Sequence, residues 1–334
     1  MEERDRPLIL WVDDTLFDDP VRDVDRITLL RNAAFRRHTL IVSAMPTITW
    51  DSRCAPNFDS WFGALPACLR AEVSLLREQT QVIAANAITR GAPLLLVSER
   101  KLNSDLPGYQ LTLADAVRAV SQPLYILVEH QINDAAFIRR IMPPAWQRKL
   151  QEWEKLGKLR YENGGGLSVM NTIVERFTDN NYAKLAFGLP GDVWKLVHFI
   201  VFDHDGKCRN KQGENSKKLM NTCTKKGMEK RSHCLERMDQ EQYLPLEALR
   251  MIIEKRITDK DNYSQLMEKV NKHFNADIET RHFTKLPKIG NDRFFKNEFA
   301  KAKEEGFKWN DEWFERDGSW PEMTRLAERI ASSM

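Results

Sequence analysis

The sequence predicts an α/β protein built on parallel sheet, with an N-terminal α/β region and a helical C-terminal extension. Three observations carry this. Short apolar runs of four to seven residues alternate with stretches of helical spacing between residues 8 and 202. The runs are apolar throughout, as expected of parallel strands covered by helices on both faces. Beyond about Pro245 the strand-like runs stop, and paired charges lead into an aromatic-rich tail (Phe294, Phe295, Phe299, Phe307, Trp309, Trp313, Phe314, Trp320) that suits amphipathic helices packed on a preceding sheet.

Leu8–Val12 (LILWV) is the first strand candidate, followed by a helical stretch over about 25–37. Thr39–Val42 (TLIV) is the second, and few breakers interrupt the helical stretch over about 58–89. Leu94–Val97 (LLLV) is the third; Thr112 then caps a helix running to Val120. Leu124–Val128 (LYILV) leads into a helix over 133–142, where Phe137, Ile138 and Ile141 share a face. Lys158–Tyr161 precedes a Gly164-Gly165-Gly166 turn and a helix beginning near Ser168, and Leu196–Phe202 (LVHFIVF) is the most apolar run of all. A length of 334 residues suggests about two domains at ~150 residues each. The expected division is 1–120, an N-terminal α/β domain of unknown role; 121–250, a sheet core; and 251–334, the helical extension.

With 42% apolar and 30% charged residues, wholesale disorder and collagen-like structure are excluded. No apolar run approaches the ~20 residues of a membrane span, and the N-terminus carries five charges before its first apolar run, unlike a signal peptide or anchor. Five scattered cysteines without a C-x-x-C pair suit a reducing, cytoplasmic setting. Zinc at Cys208, Cys223, His233 and Cys234 is disfavoured, because the spacing fits none of the usual knuckles.

The net charge of +3 conceals opposed segments. Residues 1–30 hold nine acids against four bases, a sum of −5. Residues 139–160 sum to +5 and residues 206–231 to +7. Such runs are usually solvated faces, but Lys and Arg around an acidic site are what polyanion binding requires. The expected nucleic-acid contacts are Lys207, Arg209, Lys211, Lys217, Lys218, Lys225 and Lys226, with Arg139, Arg140, Arg148 and Lys149 as a second wall.

In a parallel sheet, ligand sites form beyond the carboxyl ends of the strands. There the sequence places Glu129 after LYILV and Asp203 and Asp205 after LVHFIVF, with Asp134 at the start of a helix and Glu241 in LERMDQEQYLP. Crowded carboxylates repel one another unless a cation neutralises them. Oxygen donors without His or Cys favour Mg²⁺ or Mn²⁺. The expected metal ligands are therefore Glu129, Asp134, Asp203, Asp205 and Glu241, with Glu129, Asp203 and Asp205 catalytic and no organic cofactor.

These motifs, VEHQIND (Glu129, Asp134), YENGGG (Gly164–Gly166) and VFDHD (Asp203, Asp205), resemble in type and order the TOPRIM domain of topoisomerases, primases, maturases and OLD-family nucleases. YENGGG together with ERMDQEQYLP is closest to TOPRIM-like anti-phage nucleases that work beside an ATPase. The resemblance covers about residues 121–250. It implies a Rossmann-like sheet, Mg²⁺-dependent phosphoryl transfer on DNA or RNA, and a defence effector controlled by a separate ATPase or sensor. His130 stands where that family usually has Gly. With no Walker A sequence in the chain, a nucleotide-driven motor would have to come from a partner.

Other readings compete. A catalytically silent TOPRIM-like binding or regulatory module is one alternative. FIVFDHDGK also resembles the haloacid-dehalogenase phosphatase motif, with Asp203 as nucleophile and Asp205 as acid/base, although the expected later acidic pair is missing. An EF-hand over DHDGKCRNKQGE is rejected, because Cys208 occupies the glycine position. Asp13 and Asp14 resemble the acidic pair of receiver domains, yet Ser43 stands where their phosphoacceptor would be, which suggests a degenerate sensor or scaffold. Lys288 and Lys296 are lesser candidates for a transition-state cation.

Overall fold

A computed structural model describes residues 8–35, 38–44, 55–89, 94–102, 109–288, 295 and 297–334. Cys54, Phe294 and Lys296 lie outside the described residues. The chain forms two compact units. The first comprises Met1–Pro123, Asn180–Val197 and Ala331–Met334; the second comprises Leu124–Asp179 and His198–Ile330.

The first unit carries strands β1 (Ile9–Asp13), β2 (Thr39–Ser43), β3 (Leu94–Val97) and β4 (Tyr109–Leu111) in the order β2-β1-β3-β4, all parallel. Successive side chains of a strand face opposite sides, and both sides are covered. Leu10, Val12, Leu95 and Val97 join one cluster with Leu29, Leu30, Phe58 and Ala116 from the flanking helices, and Leu189 and Val193 of the returning segment complete it. Ile9, Trp11, Ile41, Leu94 and Leu96 form a cluster of their own. The Thr112 cap is present: its hydroxyl accepts from the Asp115 amide at 3.1 Å, opening the helix Leu113–Ser121.

The second unit repeats the wiring. Strands β5 (Leu124–Val128), β6 (Leu159–Asn163), β7 (His198–Phe202) and β8 (Ser232–Cys234) lie in the order β6-β5-β7-β8, again all parallel. β7 is shorter than the apolar run suggested. Leu196 and Val197 end a helix, Gly191–Val197, and the strand begins at His198. Ile126, Val128, Phe199 and Ile200 are fully enclosed, each burial stabilising by about 1.5–3 kcal/mol. After β8 the described chain is helical, from Leu246–Arg256 to Trp320–Ala331. The aromatic tail packs as a chain of rings: Phe137 meets Phe299 at 5.0 Å, Phe299 meets Trp309 at 5.6 Å, and Trp309 meets Phe314 at 6.0 Å. No helix among the described residues is long and apolar enough to cross a membrane.

Candidate functional site

In the second unit β5 has β6 on one side and β7 on the other, so the strand order reverses at the β5–β7 pair. Glu129 follows β5 and Asp203 follows β7, which places both at the crevice where open parallel sheets bind ligands. A cavity of about 220 Å³ opens there, lined by Glu129, Asp134, Asp203, Asp205, Asp239 and Glu241. All five carboxylates singled out in the sequence line this one cavity. Asp239 joins them.

Local chemistry explains each placement. The Gly164 amide donates to Val128 O at 2.6 Å and the Gly165 amide to Glu129 O at 3.1 Å, folding the glycine turn onto the end of β5. A Cβ on Gly164 would stand 2.3 Å from Met170 Cγ and 2.8 Å from Val128 O, so only glycine permits this approach. It brings the Leu167 amide, the first of the helix Leu167–Phe177, onto the Glu129 carboxylate. Asp134 sits in the first turn of the helix Gln131–Ile141. One of its oxygens accepts from the His130 amide at 3.0 Å, and the other accepts from Gln240 Nε2 at 2.6 Å. Asn133 Nδ2 donates to Gln240 Oε1 at 2.8 Å and fixes that amide in turn.

The loop after β7 is built around His204. Its Nδ1 accepts from the Gly206 amide at 3.2 Å, so Nε2 carries the proton given to Arg209 O at 3.1 Å, and burial pushes the imidazole pKa down. Asp205 adopts a left-handed φ of 55°, and its amide donates to Met238 O at 2.7 Å. That bond draws the segment bearing Asp239 and Glu241 alongside the DHD loop. The segment is held from behind by Tyr243, whose hydroxyl donates to Glu322 Oε2 at 2.5 Å and accepts from the Glu236 and Arg237 amides at 3.2 Å each. Arg237 and Arg281 both pair with buried Asp317.

The electrostatics are those of crowded acids. Burial, then the charges of Asp134 and Asp205, push Glu129 up to about 7, although the amides of Asp203 and Leu167 hold the rise back. Asp203 is raised well above the ordinary range by burial and by Glu129, Asp239, Asp134 and Glu241. Asp239 rises through burial and Glu241, and its Oδ1 is buried with no hydrogen-bond partner. Asp134 rises through burial, against the bonds from Gln240 and His130. Among the described residues no group of three or more His, Cys, Asp and Glu side chains is arranged to hold a metal ion. An open cavity with raised carboxyls and an orphan carboxylate oxygen suits a hydrated Mg²⁺ or Mn²⁺ held by one or two carboxylates and substrate oxygens.

Lys285 and Lys288 line the same cavity. Lys285 lowers Asp239, and neither its role nor that of Asp239 emerged from the sequence, although Asp239 lies two residues before Glu241. The basic residues divide sharply. Lys207, Arg209, Lys211, Lys217, Lys218 and Lys225 are exposed and Lys226 half-buried. None of the seven is paired with a carboxylate among the described residues. Arg139 is committed to Glu154 at 2.5–3.0 Å and lies over the Tyr161 ring; Arg140 binds Asp311 and Trp309 O at 2.5 Å each. Arg148 is exposed and Lys149 lies 5.0 Å over Trp146.

In the first unit the acids at the end of β1 are bound by neighbouring side chains and amides. Asp13 accepts from Arg100 Nε and Ser98 Oγ at 2.7 Å each and from the Thr15 amide at 3.1 Å. Asp14 accepts from the Asn57 and Phe58 amides, and Ser43 accepts from the Trp11 indole at 2.7 Å. No family model, curated protein or solved structure matches the chain.

Proposed function

We propose that the second unit is a TOPRIM-like, Mg²⁺- or Mn²⁺-dependent nuclease that hydrolyses phosphodiester bonds of DNA or RNA, acting in anti-phage defence under the control of a partner ATPase or sensor. The observation that carries the chemical part is the gathering of six carboxyls, from three separate stretches of chain, at the point where the strand order reverses. The motif resemblance supports the rest. One or two of Glu129, Asp203 and Asp205 would hold the cation directly, and the rest, with Asp134, Asp239 and Glu241, would support it through water. A cation bound there polarises the phosphodiester and makes water a better nucleophile. Glu129, raised to about 7, is suited to taking or returning a proton near neutral pH. Lys285 and Lys288 face the cavity, where they can offset phosphate charge. The unpaired cations of 207–226 leave the same loop that bears Asp205 and would lie along the phosphate backbone.

The open arrangement of the acids also suits a silent binding module, and one experiment separates the two. The purified chain, alone and with the product of its neighbouring gene, is incubated with single- and double-stranded DNA and with tRNA in Mg²⁺ or Mn²⁺. Cleavage that EDTA and Asp203→Asn both abolish supports the nuclease. Binding without cleavage under every condition leaves the silent module.

A further inference from the structure

One buried carboxylate stands outside the cavity and yet holds the chain that lines it. Glu322, in the first turn of the helix Trp320–Ala331, is 4% exposed. Its Oε1 accepts from His233 Nε2 at 3.0 Å and from the Glu236 amide at 2.9 Å, and its Oε2 accepts from the Tyr243 hydroxyl at 2.5 Å. Glu236 and Tyr243 are the two feet of an arch, residues 236–243, that presents Asp239 and Glu241 to the carboxylate cavity. One side chain therefore grips both feet.

The donors around Glu322 show why a carboxylate is needed. The Tyr243 oxygen already accepts from the Glu236 and Arg237 amides, so the hydroxyl proton must be given away. Arg329 Nη1 lies 3.4 Å from His233 Nδ1; an arginine can only donate, so the imidazole proton facing Glu322 is on Nε2. The remaining donor is a backbone amide. An amide side chain in place of Glu322 would set its own N–H against one of these donors and leave it buried and unmatched.

The arch also has a separate brace. Arg237 donates to Gln242 O at 2.8 Å and pairs with buried Asp317. That brace does not involve Glu322, which leaves to Glu322 the placement of the arch rather than its folding. Groups that support a metal site from behind set its affinity by holding the inner groups in place. Resting on the reading that the cavity holds a divalent cation, we infer that Glu322 is a positioning residue for that cation, acting through Asp239 and Glu241 without touching it.

The test reads Mn²⁺ uptake by the full chain, from the loss of the free-ion electron paramagnetic resonance signal, with no nucleic acid present. Glu322→Gln should weaken uptake about tenfold, the usual scale for such a supporting group, and Glu328→Gln, exposed on the same helix, should not change it. Tyr243→Phe cuts the same tie, so Glu322→Gln combined with Tyr243→Phe should also cost about tenfold rather than about a hundredfold. The double variant removes the opposed donors as well, and it carries the test if Glu322→Gln alone does not fold. The inference is overturned if the folded variants take up Mn²⁺ as the wild-type chain does, whatever their Tm, or if the two losses multiply. A wild-type chain that takes up no Mn²⁺ overturns the cation reading and this inference together.

Discussion

In both sheets the first strand of the unit lies between the second and the third, so the strand order reverses beyond Asp13 in one unit and beyond Val128 in the other. The same wiring ends in opposite electrostatics. Burial pushes the Asp13 carboxyl up, but bonds from Arg100, Ser98 and Thr15 outweigh it and hold the group below its ordinary range. Across the second crevice Glu129 and Asp203 have mainly other acids for company and are driven upward. A doubly wound sheet therefore supplies a place for chemistry without dictating it, and the residues at the strand ends decide.

The largest expected effect tests that contrast directly. Asp203→Asn or Asp205→Asn should lower cleavage by on the order of 10³-fold, the loss of several kcal/mol of transition-state stabilisation, with Tm kept or raised as like charge is removed. Asp13→Asn should do the reverse: unchanged cleavage, and a loss of about 2 kcal/mol as the Arg100 bonds weaken. Equal effects on cleavage would erase the distinction between the crevices. Paired and unpaired cations extend the comparison. Neutralising Lys217, Lys218, Lys225 and Lys226 together should cut the salt slope of nucleic-acid binding by about 3 if all four contact phosphates, measured by titration at several salt concentrations. Arg139→Ala should cost stability and leave the slope alone.

The two crevices should also respond to pH with opposite sign. Glu129 rises from 4.5 to about 7 on folding, so the folded state binds more protons between those values. Its contribution is complete below the unfolded value and is lost as pH rises through 7, on the order of 3 kcal/mol. Asp13 is depressed, so its contribution is present above its ordinary 3.8 and lost as pH falls through the folded value. Hydrogen exchange of β5 and β7 amides against β1 and β3 amides separates the units. Mg²⁺ should flatten only the β5–β7 response. The smallest effect is expected for Tyr243→Phe, which releases the segment bearing Asp239 and Glu241 from Glu322. It should raise the Mg²⁺ concentration for half-maximal activity by about tenfold, the usual scale for a supporting hydrogen bond behind a metal site, with a Tm change of only a few degrees.

The parallel α/β character was legible because buried strands write themselves as continuous apolar runs, and the pairing of Leu124–Val128 with the strand at His198–Phe202 follows. β4 and β8 left no such signal. They are three-residue edge strands, YQL and SHC, with little apolar character. The sequence carries the strand back over Leu196 and Val197, because an apolar run crosses a helix–strand junction unmarked. Carboxylates at strand ends could be collected from topology alone. Asp239 and Lys285 could not, since they reach the cavity through turns set by contacts such as Asp205 N to Met238 O. Summed charge over 139–160 likewise could not reveal that Arg140 is bound by Asp311, 171 residues away.

The return of residues 180–197 to the first unit bears on how the chain is made. Leu189 and Val193 belong to the same buried cluster as Leu10, Val12 and Leu29. During synthesis that cluster stays incomplete until residue 197 has left the ribosome, by which time β5 and β6 of the other unit have already emerged. The core of the N-terminal unit is thus delivered in instalments, and a nascent chain stalled between them carries one apolar face of the sheet partly open to chaperones and to aggregation.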